Sequence, residues 1–199
     1  MIRFIFSLFL LAMGLPLLAQ KLSYPLENLV GKDTASAEYK EIATLTQMQE
    51  IKEWMQNNDF REEHHFAFKS TKFHAIIKLE RHKPDPKERK PKKNELKNDK
   101  LTVAQITVYN PNKDTRKIKG KTIEAEIPYG FNWEMTYSDL TKKFGHTNLN
   151  EVNWINHTIQ FQTSAKNKDK LHSMIVFPYK SNYAIYTPPP SNVDDTPPL

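Results

Sequence analysis

Histidines and paired carboxylates are the residues of this chain that could support metal or acid–base chemistry. The sequence holds seven His, and the run from Glu62 to His65 gathers four polar side chains. A zinc site needs three or four converging ligands, whereas His64 and His65 are adjacent and would point to opposite faces of a strand. We interpret this run as solvent-exposed sequence at the start of a strand. We expect no metal site and no cofactor.

Catalytic motifs are equally scarce. Glu124 and Glu126 fall on the polar face of a predicted strand, and Asp139 fits the first turn of a predicted helix, where the helix dipole favours negative charge. The nucleophile elbow Gly-x-Ser-x-Gly and a glycine-rich phosphate loop do not occur in a sequence that holds only five Gly. We therefore predict that the protein is not an enzyme.

Three aromatic residues in one turn are the strongest candidates for a binding site. Tyr129, Phe131 and Trp133 alternate along the segment that follows Pro128. Exposed aromatic side chains in loops at the end of a sheet are typical of protein–protein contacts. The same side chains could instead close the end of the sheet as part of the core. We predict the trio as partner-binding residues and leave that second interpretation open.

A short helix is expected directly after this turn. Thr136 is a good N-cap, since its hydroxyl can accept a bond from the backbone N–H of Asp139. Leu140 and Phe144 are four residues apart and share one helix face, and Gly145 can adopt the left-handed conformation that ends a helix. The sequence therefore predicts a short helix that Thr136 and Asp139 start, Leu140 and Phe144 seat, and Gly145 ends.

Periodicity predicts the remaining elements. Apolar residues every three or four positions predict a helix or helix pair over residues 36–57, and alternation predicts most of the strands. Apolar residues on both faces of 101–109 predict a central strand. The predicted strands span residues 64–69, 73–80, 101–109, 122–127, 153–155, 158–163 and 171–179, with turns at 69–72, 156–157 and 165–169. The order of elements predicts an α+β fold, an antiparallel sheet with helices packed on one face.

The two ends of the chain differ from its middle. Residues 1–19 combine Arg3, an apolar run interrupted by Gly14 and Pro16, and a small residue at Ala19, which is typical of a secretory signal peptide. We expect an extended lead-in over residues 20–35, a single domain over 36–186 and a disordered proline-rich tail over 187–199. The sequence has no Cys, so disulfides and a lipidated Cys are excluded.

Positive charge is concentrated in one segment. The formal net charge is +6, but residues 83–100 hold eight Lys/Arg against four acids, and the rest of the exported chain is almost neutral. We predict a solvated insertion between two strands. A nucleic-acid-binding protein would spread Lys and Arg over a folded face, so we expect no nucleic-acid partner.

Residues Pro128–Phe177 resemble a unit of the β-lactamase-inhibitor-protein-like folds, which also occurs in a family of small outer-membrane assembly lipoproteins. The matching positions are Gly130, Leu140, Phe144-Gly145, Trp154 and the strands 158–163 and 171–177. The chain also resembles uncharacterised exported bacterial proteins, some of them candidate immunity partners of secreted toxins. The resemblance implies two diverged helix-plus-strands units and a protein partner.

These observations together predict an exported, non-enzymatic binding protein, located in the periplasm or secreted. Its expected partner is a protein of the cell envelope, which it would meet as an inhibitor or immunity factor. A structural or assembly component of the envelope is the alternative, in which the basic segment 83–100 and the tail contact envelope material. No transmembrane span is expected in the exported chain.

Overall fold

One large sheet dominates the protein. The computed structural model describes residues 20–57, 61–82, 100–114, 116–145, 152–163 and 170–179. The strands are β1 (Gln49–Glu50), β2 (Gln56–Asn57), β3 (Arg61–Ser70), β4 (His74–His82), β5 (Thr102–Tyr109), β6 (Thr122–Ile123), β7 (Val152–Trp154), β8 (His157–Thr163) and β9 (Leu171–Pro178). Two α-helices accompany them, α1 (Ala37–Thr46) and α2 (Tyr137–Phe144). The predicted antiparallel sheet with helices is confirmed, although sheet far outweighs helix.

Most neighbours in the sheet are also neighbours in sequence, and β9 joins the two halves by pairing with both β5 and β8. The strands lie in the order β1-β3-β4-β5-β9-β8-β7, while β2 and β6 pair with the free edge of β3 on either side of β1. All pairs are antiparallel except β3 with β6. β5 lies in the middle of this order, as its apolar residues on both faces predict.

One face of the sheet carries the hydrophobic core. Because side chains alternate along a strand, the pairing of Phe68 with Ala75, and of Ala75 with Val108, places all three on the same face. Burying a Phe or Val side chain fully stabilises the fold by about 1.5–3 kcal/mol. The same cluster includes Ile42 of α1 and Phe144 of α2, so both helices pack into this core.

The helix predicted over 36–57 is much shorter than expected. Ser36 caps α1 by accepting from the backbone N–H of Tyr39 at 3.2 Å, but the helix ends at Thr46. Gln47 adopts the left-handed conformation at φ 49° and reverses the chain. Residues 49–57 then form the edge strands β1 and β2 around a 3-10 turn, Lys52–Trp54, because they satisfy the open backbone edge of β3.

The helix predicted after the aromatic turn is confirmed in detail. Thr136 caps α2 by accepting from the N–H of Asp139 at 3.2 Å, and Asp139 Oδ2 accepts in return from the N–H of Thr136 at 2.8 Å. This reciprocal pair is a capping box. Leu140 and Phe144 are fully buried, and Gly145 ends the helix at φ 66°.

The lead-in is part of the core. Leu22, Leu26 and Leu29 are buried, and a 3-10 turn over Leu26–Leu29 brings two of them inward. The N–H of Leu22 donates to the carbonyl of Glu124 at 3.0 Å, which extends the short β6 along the lead-in. The predicted strand 122–127 is therefore regular only at Thr122–Ile123, but its inward residues are buried as expected.

The other face of the sheet carries an ion network. Lys78 Nζ lies 3.2 Å from Glu63 Oε1 and 3.3 Å from Glu80 Oε2, and Arg61 pairs with both carboxylates. Glu63 is only 4% exposed, so the expectation of solvent-exposed polar residues at 62–65 is wrong for this side chain. Neighbouring strands enclose it, and the two cations compensate the charge that is buried.

Several sequence predictions concern residues outside the described part. These are the signal peptide 1–19, most of the basic segment 83–100, the turn 165–169 and the tail 187–199. From the basic segment only Lys100 is described, and its Nζ lies 3.1 Å from Asp33 Oδ2. In the described part, neither α-helix has the length and apolar character needed to cross a membrane.

Candidate partner-binding site

The aromatic turn begins with a strained backbone. Pro128–Gly130 forms one 3-10 turn, and within it Tyr129 adopts φ 57° and ψ 18°. A left-handed conformation costs a residue with a side chain roughly 1–2 kcal/mol, which Gly130 next to it avoids. The surrounding contacts of Tyr129 must therefore offset that cost.

Those contacts tie Tyr129 to two distant parts of the chain. Its backbone N–H donates to Glu27 Oε1 at 3.2 Å, and its hydroxyl bonds to Nδ1 of His157. Burial raises the pKa of Tyr129, with the charge of Glu27 as a smaller cause, and burial lowers the pKa of His157. Both side chains are therefore neutral at neutral pH, and the hydroxyl donates to an unprotonated imidazole nitrogen.

Phe131 is buried and does not form part of a surface. It is 3% exposed, and its ring centroid lies 5.2 Å from that of Phe161 and 5.9 Å from that of Phe144. For this residue the second interpretation, closure of the end of the sheet, describes the structure. Packing of the ring against Phe144 and Phe161, with Lys143 Nζ 4.5 Å from its centroid, explains the difference, because a buried ring cannot meet a partner.

Trp133 is half-buried and is held by a distant turn. Its indole Nε1–H donates to the carbonyl of Lys72 at 2.8 Å, in the turn between β3 and β4. Lys72 in turn pairs with Glu126 at 2.5 Å. Only the rings of Tyr129 and Phe131 contact each other within the trio, so the three aromatics do not form one patch. Partner binding by Tyr129 and Trp133 stays a prediction.

An exposed isoleucine in the hairpin that holds His157 was not singled out by the sequence. Trp154 pairs with His157, so the β7–β8 turn consists of Ile155 and Asn156. The turn predicted at Asn156–His157 is therefore shifted by one residue. Ile155 is 63% exposed and adopts φ 55°, a position where glycine is strongly favoured in two-residue hairpins. The signal that could have identified Ile155 is a β-branched residue at a turn position that disfavours such residues.

Trp154 lies between core and surface. It is half-buried, and its ring meets that of Phe144 edge-on with centroids 4.7 Å apart. This contact places the Trp154 ring against the core. The hairpin that presents Ile155 is thus anchored to the core one residue before its tip.

A pocket opens next to Tyr129. Its volume is about 480 Å³, and it is lined by residues 21–25, 27, 124–127, 129 and 130. Glu27, Glu124 and Glu126 line it together with Lys21, so its carboxylates outnumber its cations. Leu22 and Tyr24 add apolar surface. This pocket adjoins the turn surface, a name we give to Tyr129, Gly130, Ile155 and His157.

A second surface lies at the β1–β2 edge of the sheet. Trp54 and Met55 are 42% and 47% exposed, and the ring of Trp54 contacts His65 edge-on at 5.6 Å. Beside them, residues 49–51, 53, 54, 67 and 116–119 line a groove of about 360 Å³, the edge groove. The helix predicted over 36–57 concealed this surface, because a helical period places Trp54 on a buried face.

Titratable side chains near the edge form ion pairs. His64 lies between Glu50 and Glu62, with Nδ1–Oε1 and Nε2–Oε1 distances of 2.5 and 2.9 Å, and Arg81 also pairs with Glu62. The hydrogen bond that His64 donates to Glu50, followed by the one to Glu62, raises the pKa of His64. Among the residues that the structure describes, no three His, Asp or Glu side chains converge as a metal site would require.

Comparison with known proteins gives a distant structural likeness. No protein-family model matches the chain, and no curated protein matches it. A solved structure, a cysteine-rich secretory protein from Staphylococcus aureus subsp. aureus Mu50, aligns over 81% of this chain with 10% identity and a TM-score of 0.41. The alignment covers 48% of that protein, so this chain spans about half its length.

Proposed function

We propose that the protein is an exported, non-enzymatic binding protein that contacts a protein partner through the turn surface. Acting in the periplasm or outside the cell, it would inhibit or neutralise that partner. Its two helices would pack on one face of the sheet as parts of two diverged helix-plus-strands units. The strained, exposed Ile155, in the hairpin whose His157 bonds to Tyr129, carries the proposal.

Backbone strain supports this assignment. Three non-glycine residues of the described part have a positive φ: Gln47, Tyr129 and Ile155. Two of the three lie in the turn surface, where His157 contacts Tyr129 and follows Ile155 by two residues. Strained residues persist where the surroundings enforce them, and they cluster at binding and catalytic sites.

The exposed side chain of Ile155 supports it further. Folding gains little from an isoleucine that is 63% exposed. A strained backbone that presents a large apolar side chain to solvent therefore destabilises the free protein. A partner that buries this side chain would recover the hydrophobic contribution.

The test combines binding with stability in one variant. Ile155→Gly removes the apolar side chain and relieves the left-handed strain, so we expect the free energy of unfolding to rise by about 1 kcal/mol. The immobilised wild type and the variant are incubated with an extract of the cell envelope, and the retained proteins are measured by quantitative mass spectrometry. We expect the variant to lose the partner that the wild type retains.

Gln47→Gly is the matched control. It relieves the same kind of strain at the end of α1, and we expect it to retain the partner. If Ile155→Gly recovers the same proteins as wild type in the same amounts, or if wild type recovers none above a blank resin, the proposed function is wrong. Whatever the binding result, the stability measurement establishes whether the variant is folded.

A further inference from the structure

The edge groove combines three features that suit an extended chain. Its floor includes Ala67, a small and almost buried residue of β3. One wall is formed by residues 49–51 with Trp54, and the other by residues 116–119. A groove between two roughly extended segments matches the shape of a strand better than that of a helix or a compact ligand.

The wall at 116–119 is strongly basic. Residues 113–121 contain five Lys/Arg and a single acid, Asp114. That acid is already engaged, since Arg116 Nε lies 2.7 Å from its Oδ1 and His74 Nδ1 lies 3.0 Å from its Oδ2. The field of this wall therefore attracts negative charge.

The acids of the opposite wall only partly compensate this field. Glu50 pairs with His64, so Glu53 is the remaining carboxylate among the residues that line the groove, against Lys117 and Lys119. The cations of the groove thus exceed its available carboxylates. Acidic side chains of a bound chain would meet Lys117 and Lys119.

The β1 edge offers backbone hydrogen bonds. The N–H of Ile51 donates to the carbonyl of His65 at 2.8 Å, and Glu50 pairs with Phe66. In an antiparallel ladder the hydrogen-bonded and non-hydrogen-bonded pairs alternate, so the N–H and C=O of Glu50 point away from β3. An added strand could bond to both groups.

Trp54 provides an apolar anchor at the same place. It lines the groove, and 42% of its surface is exposed beside the more exposed Met55. Aromatic side chains with partial exposure are common anchors of protein contacts. A bound chain with alternating residues would direct one set toward Trp54 and the other set toward the lysines.

From these features we propose that the edge groove binds an extended acidic peptide segment, which adds as a strand to β1. Glu50 supplies the main-chain bonds, Lys117 and Lys119 pair with acidic side chains, and Trp54 packs on an apolar one. This site does not depend on the turn surface. A nucleic acid is the less favourable occupant, because Glu53 would repel phosphates and the outward groups of Glu50 match a peptide backbone.

A designed probe tests this proposal directly. A short fluorescein-labelled peptide of alternating Glu and Val is titrated with the full chain and followed by fluorescence anisotropy. The same peptide with Lys in place of Glu, and a labelled oligothymidine, serve as comparisons. We expect saturable binding of the Glu–Val peptide that weakens with salt, and no comparable binding of the other two.

Two further measurements separate strand addition from general charge attraction. Lys117→Glu with Lys119→Glu should weaken peptide binding at least about tenfold, whereas Lys40→Glu with Lys142→Glu, on exposed helix positions, changes net charge equally and should have a smaller effect. Peptides N-methylated at one or the other alternate set of backbone nitrogens should differ sharply, since only one edge of an added strand pairs with β1.

Several results would overturn the proposal. Equal affinity of the two N-methylated peptides would exclude strand addition, and equal effects of the two lysine pairs would exclude the groove. Tighter binding of oligothymidine with the same sensitivity to Lys117 and Lys119 would assign the groove to nucleic acid. Failure of the Glu–Val peptide to bind at any soluble concentration would exclude an acidic peptide site.

Discussion

The hydroxyl of Tyr129 bonds to Nδ1 of His157, which lies 28 residues further along the chain. This contact joins the turn before α2 to the hairpin between β7 and β8. Through it, the two strained backbone positions Tyr129 and Ile155 belong to a single surface. The arrangement fixes the tip that presents Ile155 to solvent.

The bond between Tyr129 and His157 should contribute measurably to stability. Tyr129→Phe keeps the ring and removes the hydroxyl, so we expect the free energy of unfolding to fall by about 1 kcal/mol. A double-mutant cycle with His157→Gln, measured by urea denaturation, isolates the pair. A coupling energy indistinguishable from zero would show that the bond does not hold the turn to the hairpin.

Phe131 should behave as a core residue. Phe131→Ala removes a ring that packs on Phe144 and Phe161, and we expect a loss of about 3–5 kcal/mol in the free energy of unfolding. Met55→Ala, at an exposed site, should change it by less than about 0.5 kcal/mol. Similar small losses in thermal or urea unfolding for both variants would contradict the burial of Phe131.

Gly120 should be irreplaceable for a steric reason. At φ 98° its added Cβ would lie 2.6 Å from the backbone oxygen of Thr46. Gly120→Ala should therefore cost more than about 3 kcal/mol, since the backbone must shift. Gly31→Ala is the matched control: at φ 82° its Cβ meets nothing within 4 Å, and the strain alone costs roughly 1–2 kcal/mol. If urea unfolding gave the same loss of stability for both variants, the close approach of Gly120 to the backbone of Thr46 would be refuted.

Stability should depend on pH through histidines whose pKa values are shifted in opposite directions. The raised pKa of His64 stabilises its protonated form, so this contribution is complete below the unfolded value of about 6.5 and is lost as the pH rises through the folded pKa. Burial lowers the pKa of His65 and of His157, so their contribution is present above about 6.5 and is lost as the pH falls toward the folded pKa.

Urea unfolding between about pH 5 and pH 8 measures both effects. The stability difference between wild type and His64→Gln should shrink as the pH rises, and the difference between wild type and His157→Gln should shrink as the pH falls. NMR titration of the imidazole signals provides the individual pKa values. A His64 that titrates below its ordinary value would contradict the pairing with Glu50 and Glu62.

Local signals explain what the sequence predicted well. The cap of α2 needs only Thr136, Asp139 and Gly145, which lie within ten residues of one another and satisfy each other's backbone groups. Alternating apolar residues likewise predicted β3, β4 and β8, because each strand has one face in the core, and apolar residues on both faces predicted β5 as a central strand. Such signals do not depend on the arrangement of the rest of the chain.

Tertiary contacts explain what the sequence could not predict. The apolar spacing over residues 36–57 suits a helix, but the open edge of β3 recruits residues 49–57 as strands, and Gln47 breaks the helix. Trp133 donates to Lys72, 61 residues away, a partner that no local pattern identifies. A shift of one residue in the β7–β8 turn was enough to conceal Ile155.

Hydrogen–deuterium exchange of the protein with its recovered partner tests the central claim most directly. The account predicts that the partner slows exchange at residues 128–133 and 152–157, and that Ile155→Gly abolishes this protection while Gln47→Gly does not. Protection confined to residues 49–57 and 116–119, or unchanged by Ile155→Gly, would contradict the assignment of the turn surface as the binding site.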